Sequence, residues 1–124
     1  MPHDSLTERA ARGCTVSAMR VAYNKLVRDQ IPDIIAATGS QPSTRVLDHA
    51  SYQAALRSKL LEEAQEAEAA ADEQLASELA DVLEVLRALA QAHDMKWEGI
   101  ELQASRKRAE RGGFDRRIFL EHVD

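Results

Sequence analysis

A chain of 124 residues with 21 acidic side chains against 16 Lys and Arg, formal charge -5, has the length of one domain and is no general nucleic-acid binder. The single Cys14 cannot form an internal disulfide, and no Cys/His cluster has zinc spacing. No apolar run approaches a membrane span and the first residues lack a signal-peptide apolar region, so a cytoplasmic protein with neither nucleic-acid nor membrane partner is expected. Alanine and leucine dominate while aromatics are only 4%, which favours an all-α fold of helices packed closely through small side chains.

Residues 1–20 mix Pro, Asp, Ser, Thr, Gly and Arg without periodicity, and are expected to form a flexible tail preceding a domain over 21–124; Met19 is an alternative start. From Tyr23 the chain reads YNKLVRDQIPDIIAATG, a short helical segment interrupted at Pro32 and stopped by Gly39. Thr44, Arg45, Val46 and Leu47 predict a short strand. Asp48 then predicts an N-cap for a long helix from His49 to about Ala71, and a second long helix follows from about Gln74 to Ala92. Asp94 would cap a third helix, Met95 to about Glu110, in which Trp97 reads as a core anchor. The paired glycines of RGGF mark a turn, and the alternation from Arg116 to Leu120 predicts a strand able to pair with the one near Val46. His3, His49, His93 and His122 lack ligand spacing and read as surface or tail residues.

The two long helices each carry two acids one turn apart: Glu63 and Glu66, then Glu78 and Asp81. On the second helix Leu75, Leu79, Val82, Leu83, Leu86 and Leu89 define an apolar stripe, and Glu78 falls about 60° from its centre with Asp81 at the edge. On the first, Leu56, Leu60, Ala64, Ala67 and Ala71 define the stripe, with Glu63 again about 60° from its centre and Glu66 further out. An ionised carboxylate in an apolar setting costs several kcal/mol unless it is paired or binds a metal. Two readings therefore compete: an oxygen-only site for a hard divalent cation, or structural ion pairs, for which Lys59 is the nearest partner by spacing. A short connection makes the helices antiparallel and brings the two acidic pairs face to face. Beyond them, Arg106, Lys107, Arg108, Arg111, Arg116 and Arg117 concentrate positive charge, read either as a solvated helix end or as a phosphate clamp that folds back on the acids.

The order YNKLVRDQIPDII, a Glu-Glu-x-x-Glu helix, Glu-Leu-Ala-Asp-Val-Leu-Glu and RGGF resembles the all-α nucleoside triphosphate pyrophosphohydrolases of the MazG-like superfamily, especially small proteins similar to phosphoribosyl-ATP pyrophosphohydrolase. The likeness covers about Tyr23 to Leu120. It implies Mg²⁺, with Mn²⁺ as a substitute, held by Glu63, Glu66, Glu78 and Asp81. It implies Glu62, Glu63 and Glu66 as catalytic acids, with Glu62 or Glu66 orienting or deprotonating water. Asn24, Lys25 and Arg28, together with Lys107, Arg111 and Arg116, match polar and basic positions near substrate; Gln30 departs from the pattern, where Lys is expected.

The implied reaction splits a nucleoside triphosphate into monophosphate and pyrophosphate, as nucleotide-pool house-cleaning or, alternatively, on phosphoribosyl-ATP. A third reading is a non-catalytic helical interaction or regulatory module. The Leu and Ala stripes exceed what the helices of one chain can bury, so a homodimer or homotetramer completing a helical bundle is expected.

Overall fold

In the computed structural model, which describes residues 20–124, every regular element is helical: α1 (Ile31–Ala37), α2 (His49–Ala69), α3 (Asp72–Ala92) and α4 (Trp97–Arg111). No described helix is long and apolar enough to cross a membrane. The expected tail over 1–20 lies outside the described residues except for Arg20, which is exposed.

α2 begins where the sequence predicts. Asp48 has extended backbone, and its side chain accepts a 2.8 Å hydrogen bond from the Ser51 N–H, satisfying one of the donors that a helix start leaves open. That bond, with Arg45 and His49 nearby, outweighs slight desolvation and holds the Asp48 carboxyl below its ordinary pKa. α2 ends at Ala69, and the link to α3 is only Ala70 and Ala71, both extended. Asp72 and Glu73, expected in the turn, instead form the first turn of α3, where negative charge suits the helix dipole.

So short a link makes α2 and α3 an antiparallel hairpin. At its open end Gln53 of α2 donates a 3.0 Å hydrogen bond to the Ala92 carbonyl at the end of α3. Leu56, Val85 and Ala92 form the buried core, against which Leu26, Tyr52, Leu60, Ala88 and Leu89 pack. Leu56 is only 2% exposed, and burying such a side chain contributes about 1.5–3 kcal/mol.

Most of the leucine stripe of α3 does not face this core, although Leu89 at its end packs against it. On a wheel of roughly 100° per residue, Glu78, Val85 and Ala92 fall within about 40° of one another on the side turned to α2. Leu75, Leu79, Leu83 and Leu86 are all exposed and lie about 120° further round. Small residues explain the choice: Ala88 and Ala92 let α3 approach α2 closely, so the hairpin closes through alanines and leaves the leucines outside.

Several expectations are corrected. Neither predicted strand forms: no strand occurs among the described residues, and both Thr44–Leu47 and 116–120 lack regular structure. Without sheet neighbours a lone pair of short extended segments has little to stabilise it. The first helix is confined to Ile31–Ala37, with Pro32 in its first turn where a missing N–H costs nothing. The last helix starts at Trp97 rather than Met95; Asp94 does not cap it but takes a left-handed φ of 56° in the preceding turn. Trp97 is half-buried rather than a core anchor. Its ring lies 4.6 Å from the Arg87 guanidinium and its Nε1–H donates to Glu101 at 2.8 Å.

Among the described helices α4 neighbours α3 alone, and it buries none of its residues. It ends at Gly112, whose φ of 84° with ψ of 174° is a backbone conformation open in practice only to glycine. The arm that follows carries Phe114, Ile118, Phe119, Leu120 and Val123, every one of them exposed.

Candidate acidic metal centre

The hairpin brings the acids together near its closed end, as the helical spacing predicts. Glu63 and Glu78 are buried, 7% and 6% exposed, and Asp81 is half-buried beside them. One carboxylate oxygen from each of the three lies within 4.8 Å of those of the other two, a spacing that a single cation can bridge. Glu66, the fourth expected ligand, is not one of the three, although its charge is close enough to act on Glu63.

Three basic side chains hold the edges of this cluster. Lys59 Nζ lies 3.1 Å from Glu63 Oε1 and 3.4 Å from Glu62 Oε2, the i+4 and i+3 neighbours on its own helix. Lys25 Nζ donates to Glu62 Oε1 at 2.6 Å, and Arg28 Nη2 donates to Asp81 Oδ1 at 2.7 Å. The segment before α1 thus lies across the acids, reaching both long helices. Asn24 takes no visible part through its side chain. Its exposed residue has a left-handed φ of 47°, which Asn tolerates better than most, and the backbone bends at Lys25 directly after it.

Burial pushes the Glu63 carboxyl pKa up; Lys59 opposes this, while the charges of Glu66 and Asp81 add to it. Burial acts the same way on Glu62, but there the ammonium groups of Lys25 and Lys59 win and hold the carboxyl below its ordinary value. The acids of one site therefore diverge. Glu62 is a neutralised ion-pair member, whereas Glu63 keeps Oε2 buried with no hydrogen bond to any described residue.

The donor set fits a hard divalent cation: oxygen only, two buried carboxylates and one half-buried. A buried carboxylate oxygen without a hydrogen bond is costly by itself and favourable as a ligand.

Lys107, Arg111 and Arg116 are all exposed and pair with no described acid of this cluster; the expected clamp does not fold back within the chain. Lys59 is the side chain missing from the expected site residues. Its i+3 and i+4 spacing to Glu62 and Glu63 carries the signal, which suggests only an ion pair when the sequence is read alone. Comparison with protein-family models, curated proteins and solved structures finds no match.

Proposed function

We propose that the chain is a divalent-cation-dependent nucleoside triphosphate pyrophosphohydrolase, giving a nucleoside monophosphate and pyrophosphate. The observation that carries this reading is the convergence of Glu63, Glu78 and Asp81 oxygens within 4.8 Å, with Glu63 Oε2 buried and without a hydrogen bond to a described residue. The order of motifs, similar to that of MazG-like enzymes, supports it from the sequence. Mg²⁺, or Mn²⁺ in its stead, would supply charge neutralisation at the phosphates and a lowered pKa for a bound water.

The chain's own groups account for the rest. Phosphoryl transfer needs oriented groups and charge compensation more than a protein nucleophile. Glu63, Glu78 and Asp81 hold the cation. Glu66, half-buried beside Glu63 and outside the triad, orients the water and accepts its proton. Arg28 is half exposed beside Asp81 and can exchange its carboxylate for a phosphate oxygen; Lys25 and Lys59 hold Glu62 ionised. Water adds across the anhydride bond between the α and β phosphates, and pyrophosphate departs.

Release of pyrophosphate that requires Mg²⁺, and that Glu78→Gln and Asp81→Asn abolish while helicity is retained, is the expected result. Phosphoribosyl-ATP is tested as one substrate among canonical and modified nucleotides. The ion pairs of Lys59 and Arg28 favour a second reading, a helical interaction module with structural acids. Calorimetry showing no heat with Mg²⁺ or Mn²⁺, together with stabilisation by the acid substitutions, would select it.

The exposed leucines of α3 support assembly into a homodimer or homotetramer.

A further inference from the structure

Glu62 and Glu63 are neighbours on α2, yet their carboxylates are held differently. Both oxygens of Glu62 meet an ammonium group: Oε1 accepts from Lys25 at 2.6 Å, and Oε2 lies 3.4 Å from Lys59. Glu63 has Lys59 on Oε1 alone, at 3.1 Å, while its Oε2 is buried without a hydrogen bond to a described residue. Lys59 thus divides one positive charge between an acid of the candidate cation site and an acid outside it.

The Lys59 side chain is only 12% exposed, so water and salt screen its charge little. A divalent cation joining Glu63 places a second positive charge on a carboxylate that already carries one, in a setting where like charges repel strongly. Two routes relieve that repulsion. The base can turn into solvent, as Arg28 beside Asp81 can with its side chain 51% exposed, or it can move onto another acid. Burial disfavours the first route for Lys59, because an ammonium withdrawn from water needs a partner. Glu62 supplies the second: it lies one residue before Glu63 on the same helix, three residues from Lys59, and already touches it. Lys25, bonded to the other oxygen, keeps Glu62 in place.

We infer that Lys59 is the resident counter-ion of the cation site and yields Glu63 to a divalent cation by shifting onto Glu62. Lys59 thereby sets the affinity for the bare cation. Glu62 acts through Lys59, as a positioning residue rather than a ligand or a base. The inference rests on the cation site of the proposed function and not on the reaction performed there.

Calorimetric titration of the full chain with Mg²⁺ or Mn²⁺, without nucleotide, tests it. A purely structural Lys59 would lower stability on removal and leave cation affinity alone. As a competitor its removal in Lys59→Met should instead lower the dissociation constant on the order of tenfold, within the range of coupling between contacting groups. Loss of helicity in chelator that Mg²⁺ restores is the same result in stronger form. If Lys59→Met does not fold even with Mg²⁺, Lys59→Gln carries the same expectation. Glu62→Gln confines Lys59 to Glu63 and should raise the dissociation constant on the order of tenfold. In a Lys59→Met chain the same change should matter by no more than about twofold, the scatter between independent sites. A dissociation constant that is unchanged or higher in Lys59→Met, or an equal cost of Glu62→Gln in both backgrounds, overturns the inference. Absence of heat with either ion in both native and Lys59→Met chains overturns it together with the cation site. Binding that follows the expected order in a chain releasing no pyrophosphate refutes the enzyme reading and leaves the exchange standing.

Discussion

Lys59 Nζ stands 3.1 Å from Oε1 of Glu63, one turn along the same helix, while Oε2 of that carboxylate is buried without a hydrogen bond to a described residue. One oxygen is thus compensated from within α2, and the carboxylate as a whole shares its site with Glu78 and Asp81. A lone structural ion pair needs only the first half of this arrangement. The second half raises the free energy of the cation-free state and gives a ligand its advantage.

Glu63→Gln separates those two halves. The amide keeps the shape, removes the buried charge and leaves Lys59 its contact with Glu62, so stability in chelator should stay level or rise by about 1 kcal/mol. Native protein should gain about 2.7 kcal/mol when Mg²⁺ reaches a hundred times its dissociation constant, and the variant should gain almost nothing. Thermal denaturation with and without Mg²⁺ reads both values. A loss of several kcal/mol in chelator would mark Glu63 as half of a structural ion pair.

The two neighbouring glutamates should give the cation-free hairpin opposite pH limbs. Glu63 has its pKa raised in the fold, by burial first, so the folded state holds its proton more tightly than the unfolded one and stability falls as pH rises from about 4.5 through the folded pKa. Glu62 is depressed by Lys25 and Lys59 against the pull of burial; its contribution is present above about 4.5 and is lost as pH falls through the folded pKa. The charges of Lys59, Glu66 and Asp81 all act on Glu63, and Glu78 shares its site. Denaturant titrations in chelator should therefore show the upper limb in native protein and not in Glu63→Gln, and excess Mg²⁺ should flatten it. An upper limb of equal slope in the variant would assign it to other groups.

What the sequence discloses here is the local half of the site. Acids three residues apart on a helix must share a flank, and a two-residue link must fold the helices together, so Glu63, Glu78 and Asp81 converge as read. Asp48 is equally local and caps α2 as expected. What stays hidden is the rotation of α3: a stripe of leucines reads as the inner face, yet alanines allow the tighter approach and turn the leucines outward. Segment-to-segment pairing is hidden for the same reason. Nothing in YNKLVRDQIP says that Lys25 meets Glu62 and Arg28 meets Asp81, since those contacts depend on a bend at Lys25 and on the path around α1.

Lys25 and Arg28 should differ in kind. The Lys25–Glu62 pair is largely withdrawn from solvent, whereas the Arg28 side chain is 51% exposed. Lys25→Ala should cost about 1–2 kcal/mol of stability, because it leaves the half-buried Glu62 carboxylate with Lys59 alone. Arg28→Ala should cost less than about 1 kcal/mol and act on turnover instead, raising KM for the nucleotide. Equal stability losses, or an unchanged KM in Arg28→Ala, would contradict the assignment of Arg28 to substrate.

Leu56 and Leu79 provide the sharpest contrast between the two apolar faces. Leu56 is 2% exposed within the hairpin core, so Leu56→Ala should remove about 2–5 kcal/mol at every protein concentration, through lost burial and the cavity left behind. Leu79 is 52% exposed in the single chain, and its truncation should change monomer stability by less than about 1 kcal/mol. If a second copy covers the leucine face, however, Leu79→Ala lowers Tm at low concentration more than at high, because folding and association are then linked. A concentration series of melting curves for the two variants distinguishes the cases. A concentration-independent loss for Leu79→Ala as large as that for Leu56→Ala would mean that the leucines are already buried within one chain.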